Sequence, residues 1–221
     1  MKRVILALGI VALLVLAVAG FAVASESYVI SDYRGASQRD GLTLVEHGHN
    51  WTYAPENPNI VYIAVWAPNP YKPCIVHAVS NVVRKRGLIP VVTNDVLKFD
   101  LNGRLVLVYV PITGRRDALI YEEISLSGIL YYSYAGDAKS AIETINNGLE
   151  FSESAISKSA EELCRASMNR LIQLRIANQT CGVAYWWNLR AKVGVLSKAN
   201  PYEMVASEMA RQLDQFLSDE P

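Results

Sequence analysis

An uncharged run near the N-terminus constrains this chain more than any other feature of its sequence. Val4 to Ala24 contains 21 residues without a charged side chain, and Lys2 and Arg3 come directly before it. About 20 apolar residues are enough for a helix to cross the ~30 Å hydrocarbon core of a bilayer. The run therefore predicts a membrane-inserted helix, with residues 4–24 in contact with the lipid bilayer.

The charges around this run predict its orientation. Lys and Arg favour the cytoplasmic side of a membrane, and the first charge after the run is Glu26. We therefore expect a single-pass protein whose C-terminal domain lies outside the cytoplasm. The alternative is a secreted chain, because Ala22-Val23-Ala24 matches a signal-peptide cleavage site. The length of the run favours an uncleaved signal anchor over cleavage after Ala24.

Composition limits the classes of partner. Lys and Arg total 21, and Asp and Glu also total 21. Nucleic-acid-binding proteins usually carry a basic excess, so we expect no nucleic-acid partner. The chain of 221 residues is long enough to bury a sizeable core. We divide it into a signal anchor or signal peptide at 1–25, a spacer and irregular N-terminal segment at 26–59, and an extracytoplasmic domain at 60–221.

The pattern of apolar residues in the domain predicts an α+β fold. Helical and strand periodicities follow one another without strict alternation, which favours a mixed, largely antiparallel sheet packed against helices in two layers. Asp100 to Gly103 is expected to be a hairpin turn, because Asn-Gly tolerates positive φ. The predicted strands are 42–45, 60–67, 88–99, 104–112, 119–125, 128–134 and 183–196, and the predicted helices are 75–86, 137–148, 152–176 and 201–217.

Three histidines and one cysteine could form a zinc site. His47 and His49 would lie on one side of an extended segment, and Cys74 and His77 would share a helix face. Four nitrogen and sulfur ligands suit tetrahedral zinc. This interpretation predicts a metal-dependent hydrolase. The competing interpretation is a pair of loop histidines and a separate, partly buried Cys-His turn.

The remaining cysteines suggest a disulfide bond. Extracytoplasmic compartments are oxidising, and Cys164 and Cys181 would close a loop of modest length. We predict that these two residues pair and that Cys74 stays a buried free thiol.

Two aromatic clusters offer a binding surface. Aromatic side chains are enriched at protein interfaces, although packing of a sheet against helices uses the same residues. The clusters comprise Tyr131, Tyr132, Tyr134, Tyr185, Trp186 and Trp187.

The sequence carries no catalytic signature. It has neither a Gly-x-Ser-x-Gly nucleophile turn nor a Gly-rich phosphate loop. The sequence therefore favours a membrane-anchored extracytoplasmic binding or interaction module with a protein or envelope partner. The alternatives are the metal-dependent hydrolase and a structural component of the cell envelope.

Overall fold

The computed structural model describes residues 2–32, 42–44, 56–136, 138–154 and 180–218. Side chains are described for residues 9–31, 56–133, 138–147 and 187–218. The helices are α1 (Lys2–Ser25), α2 (Tyr71–Lys85), α3 (Ala138–Ser154) and α4 (Pro201–Ser218). The strands are β1 (Ser27–Asp32), β2 (Leu42–Leu44), β3 (Ile60–Trp66), β4 (Ile89–Val92), β5 (Arg104–Asp117), β6 (Tyr121–Gly136) and β7 (Thr180–Gly194).

The seven strands form one mixed sheet in the order β1-β7-β6-β5-β3-β4. Strands β1 and β2 pair with the same edge of β7. Strand β1 pairs with residues 188–193 and β2 pairs with residues 182–184, nearer the N-terminal end of β7. Strand β3 pairs in parallel with β4 and β5, and all other pairings are antiparallel. The α+β class and the mixed sheet are confirmed.

Helices cover both faces of the sheet, which corrects the prediction of two layers. Alternate residues of β3 point to opposite faces: Val61, Ile63 and Val65 pack with α2 and α4, whereas Tyr62 and Ala64 pack with α3. Because β3 and the first half of β5 are apolar on both faces, one helical layer would leave one of those faces in water. The result is two cores separated by the sheet.

The predicted hairpin at residues 100–103 is wrong. Strands β4 and β5 both pair with β3 and lie on opposite sides of it, so they cannot form a hairpin. The turn instead packs against β3, where the Tyr62 hydroxyl donates to the Asp100 carbonyl. A β-carbon at Gly103 would lie 2.6 Å from the carbonyl oxygen of Ile60. This close approach explains the glycine better than a hairpin does.

Three other predicted boundaries change. Residues 27–32, predicted as spacer, form β1 at the edge of the sheet. The strands predicted at 119–125 and 128–134 form the single strand β6, and the strand predicted at 88–99 is only four residues long. The helix predicted at 152–176 lies, beyond Ser154, outside the described residues.

Helix α1 projects from the sheet, and none of its residues from Gly9 to Ser25, whose burial is described, belongs to either core. Its apolar side chains from Ile10 to Phe21 are exposed, and Glu26 alone separates it from β1. Within the described part of the chain, no helix has both the length and the apolarity needed to cross a bilayer.

Candidate functional site

Among the described residues, a concave surface lies between α2 and α4. The two helices run side by side in the same direction, because contacts join both pairs of ends. At the N-terminal ends the rings of Tyr71 and Tyr202 meet edge to face, with centroids 4.9 Å apart. At the C-terminal ends Arg86 forms an ion pair of 2.7 Å with Asp214. Between these contacts a groove of about 780 Å³ opens on the outer side of the helices.

The amphipathic pattern of α2 explains which residues reach the groove. Ile75, Val79 and Val83 recur every four residues and are fully buried against the sheet. The helix ends at Lys85, and Gly87 follows it with a φ of 74°, the left-handed conformation that commonly terminates a helix. The face of α2 that turns away from the sheet therefore lines one wall of the groove.

Polar groups of both helices line the groove at a spacing of about one helical turn. The volume falls within the range of ~300–1,000 Å³ that is common for ligand sites. Cations and carboxylates are both present, so the groove complements a ligand or protein surface of mixed charge. The principal lining residues are Cys74, His77, Asn81, Lys85, Glu203, Ser207, Arg211 and Asp214.

Cys74 is a half-buried free thiol. Burial raises its pKa, and the negative charge of Glu203 raises it further. Nucleophilic cysteines need a lowered pKa, because the thiolate is the reactive species. The arrangement around Cys74 therefore suits a neutral packing group and not an activated nucleophile.

The structure brings together only part of the predicted zinc site. Cys74 and His77 line the same groove, and the Nε2 atom of His77 lies 2.9 Å from the side-chain amide of Asn81. His47 and His49 lie outside the described residues. Among the residues that are described, no group of three or more His, Cys, Asp or Glu side chains could hold a metal ion.

The predicted aromatic surface is wrong for three of its six residues. Tyr131, Tyr132 and Trp187 have almost no exposed area and belong to the cores. Tyr131 faces α3, whereas Tyr132 faces α2 and α4, because neighbours in a strand alternate and helices cover both faces. The side chains of Tyr134, Tyr185 and Trp186 lie outside the described set.

The predicted disulfide remains a prediction. Cys164 lies outside the described residues, and Cys181 belongs to β7 but its side chain is not described.

Sequence reasoning missed the α4 side of the groove. Glu203, Ser207 and Arg211 follow one another at intervals of four residues and form a polar stripe. That stripe is visible in the sequence, but a solvated helix face has the same pattern. Only the packing of α4 beside α2 distinguishes a stripe that lines the groove from a solvated helix face.

Comparison with known proteins adds no assignment to this geometry. No protein-family model matches the chain, and the comparison with curated proteins finds no match either.

Proposed function

We propose that this chain is a membrane-anchored binding module that presents the α2–α4 groove to a partner outside the cytoplasm. The observation that carries the proposal is the exposed apolar surface of α1, directly joined to the sheet. Helix α1 would hold the domain at the bilayer, and the groove would supply the contact surface.

The exposed side chains of α1 support insertion in lipid. Leu13 is 69% exposed, and Leu16, Val18 and Phe21 are exposed to a similar extent. A contiguous apolar surface of this kind normally contacts a membrane or another protein. Because the sequence around α1 is apolar on every side from Val4 to Ala24, with no polar face to turn toward water, lipid fits it better than a protein groove does.

The length of α1 is consistent with this environment. Its 24 residues correspond to about 36 Å at 1.5 Å per residue, compared with ~30 Å for the hydrocarbon core. The residues of α1 whose burial is described, 9–25, are too few to cross the hydrocarbon core by themselves. The proposal therefore rests on the full uncharged run in the sequence, from Val4 to Ala24.

The junction between α1 and the sheet favours retention of the helix over cleavage. The carbonyl oxygen of Ala22 accepts hydrogen bonds from the Ser25 hydroxyl at 3.0 Å and from the Glu26 amide at 3.1 Å. Ala24 is only 6% exposed, and its carbonyl oxygen accepts the Leu196 amide. Cleavage after Ala24 would require this last turn to unwind and separate from the sheet.

The groove would begin close to the membrane. The Tyr71 hydroxyl, at the start of α2, lies 3.3 Å from the Gly114 carbonyl oxygen and 3.1 Å from that of Ser125. Gly114 is three residues from the end of β5, a distance of about 10 Å along a strand. A partner in the groove would therefore approach along the membrane surface, and a second protein in the same membrane could reach the groove.

Fractionation tests the anchor. We expect the full chain to remain with membranes after an alkaline carbonate wash, and we expect externally added protease to reach the domain in sealed, right-side-out vesicles of the native membrane. Release by the wash, or a mature N-terminus at Ser25, would contradict the anchor.

Photo-crosslinking tests the binding function. A photoreactive amino acid at Asn81, in the groove, is compared with one at Lys98, which is exposed in the loop after β4. We expect a discrete adduct in native membranes from position 81 and none from position 98. Equal yields at the two positions, or no adduct from position 81 and a second groove position at Ser207, would refute a binding role for the groove.

A further inference from the structure

Four exposed apolar side chains surround the point where α1 meets the sheet. Leu119 and Ile120 form the turn between β5 and β6, and Val195 and Leu196 follow β7. Leu119 is 98% exposed, and Val195 and Leu196 are each 57% exposed. We call these four residues the root collar. Leu119 is the most exposed of the large apolar side chains that the structure describes, whereas most large apolar residues of the sheet are buried in the two cores.

Backbone hydrogen bonds fix the root collar against the end of α1. The Val195 amide donates to the Ile120 carbonyl at 3.1 Å, and the Leu196 amide donates to the Ala24 carbonyl at 2.8 Å. The Gly194 amide donates to the Glu26 carbonyl at 2.7 Å. The turn, the segment after β7 and the last turn of α1 therefore form one connected unit, with no linker that could move the domain away.

The next row of residues has the composition of a membrane interface. Tyr121 pairs with Gly194 in the sheet, and Tyr28 pairs with Lys192. The Nζ atom of Lys192 lies 4.0 Å from the centroid of the Tyr121 ring. Tyrosine and lysine carry an apolar body and a polar end, and both are common where a protein passes from lipid to water.

Charges near the root collar are mixed. Arg115 is paired with Asp117 and Glu122 at 3.1 and 3.3 Å, and Arg116 and Lys198 are exposed. Carboxylates therefore offset Arg115 and, in β7, Arg190, whose Nε atom lies 3.4 Å from a Glu123 carboxylate oxygen. A surface of this kind would bind lipid through apolar contact and not through attraction to anionic headgroups.

We propose that the root collar inserts into the outer leaflet at the boundary between headgroups and acyl chains, so that the domain is seated on the bilayer. This inference rests on the proposed anchoring of α1, because the helix sets the height of the collar. The partner is the bilayer that surrounds α1, and the contact is continuous with the apolar surface of that helix. Seating would hold the long strands upright, with the α2–α4 groove at a fixed height above the membrane.

Tryptophan depth measurements test the seating of the full chain in vesicles. In Leu119→Trp the new indole would report the depth of the turn between β5 and β6. In Leu97→Trp it would report the depth of another highly exposed leucine, far from the root collar. Leu97 is 85% exposed in the loop after β4, near the level of β3. Measured along β5, the segment that pairs with β3 ends about eight residues, or about 26 Å, before the end of β5 that precedes Leu119. The wild-type chain supplies the background signal of its own tryptophans.

We expect lipids brominated near the headgroup to quench the Leu119→Trp indole and to leave the Leu97→Trp indole unchanged. The quenching should be equal in zwitterionic and anionic vesicles. Matching thermal unfolding of the two variants and the wild type would show that the fold is intact.

Three results would overturn the inference in distinguishable ways. If both indoles are equally unquenched while the chain resists an alkaline wash, α1 anchors the protein and the collar lies in water. If the wash strips the chain from the vesicles, the anchor itself fails. Quenching that appears only with anionic lipid would overturn the apolar nature of the contact.

Discussion

The Ala24 carbonyl oxygen, in the last turn of α1, accepts a hydrogen bond of 2.8 Å from the Leu196 amide, just beyond the end of β7. The approach is close because Gly194 has no side chain. A β-carbon at Gly194 would overlap the Ala24 carbonyl group and lie 2.6 Å from the Val23 carbonyl oxygen. The helix and the sheet are thus connected through backbone atoms at a position that permits only glycine.

We expect Gly194→Ala to destabilise the domain because two backbone segments would have to move apart. Overpacking against atoms that cannot adjust costs about 1–3 kcal/mol. Denaturant unfolding in detergent micelles, followed by circular dichroism, measures the change.

Gly20→Ala is the matched control for this substitution. Gly20 lies one turn before Ala24 in α1, and a β-carbon there would meet no atom within 4 Å. We expect it to leave the stability of the domain unchanged. Equal midpoints for Gly194→Ala and the wild type would show that the junction has room for a β-carbon at position 194.

Tyr71 should make stability depend on alkaline pH. The residue is 5% exposed, and burial, with a smaller contribution from Tyr202, raises its pKa to about 12. The unfolded chain ionises near pH ~10, so the folded state holds the proton longer. The stabilisation from Tyr71 is complete below pH ~10 and is lost between ~10 and ~12, a total of about 2–3 kcal/mol.

Tyr71→Phe isolates this effect. Near pH 8 the variant should be less stable than the wild type by about 1 kcal/mol, because it lacks the hydrogen bond of the hydroxyl group. The difference should shrink and change sign as the pH rises toward 12, since phenylalanine cannot ionise. A difference between the two proteins that stays constant from pH 8 to 11.5 would contradict the buried environment of Tyr71.

Cys74 should react slowly with alkylating reagents at neutral pH. Burial and the Glu203 carboxylate raise its pKa, and only the thiolate reacts. Peptide-level mass spectrometry after timed treatment with iodoacetamide distinguishes Cys74 from the other two cysteines. Glu203→Gln removes the neighbouring charge and should accelerate alkylation. A neutral-pH rate above that of an unstructured cysteine peptide would instead indicate an activated thiol.

Elements with a strong local pattern were predictable from the sequence. Helix α2 repeats Ile75, Val79 and Val83 on one face, and β3 is apolar along its whole length. Strand β1 was missed because it is a partly solvated edge strand: Tyr28 and Ile30 are exposed. Its pairing partner, β7, lies more than 150 residues away, so no local signal reports the pairing.

The candidate groove was predictable only in part, for the same reason. Cys74 and His77 stand out in the sequence, but their neighbours across the groove, Glu203 and Arg211, come from α4. The aromatic run at Tyr131 was misinterpreted because strand alternation does not reveal whether one face or both faces are covered. Long-range packing decides which residues line the groove and whether one or both faces of the sheet are covered. The local patterns of a single sequence do not reveal that packing.

Asn94 should be required for the stability of the domain at the end of β3, where β3 extends beyond its pairing with β4. Its side-chain oxygen accepts the Val65 amide at 2.9 Å, and its side-chain amide donates to the Val65 carbonyl at 2.7 Å. One side chain thus replaces a neighbouring strand for a fully buried residue. We expect Asn94→Ala to cost about 1–3 kcal/mol, because it leaves buried backbone groups without partners.

Asn94→Asp distinguishes this role from simple packing. Aspartate has almost the same shape but accepts at both oxygens, so one oxygen would face the Val65 carbonyl. The folded state should raise the pKa of the new carboxyl, because the protonated form can donate to that carbonyl. The variant should therefore regain stability as the pH falls toward 4, when compared with Asn94→Ala in the same denaturant titrations. Equal pH profiles for the two variants would indicate that Asn94 only fills space.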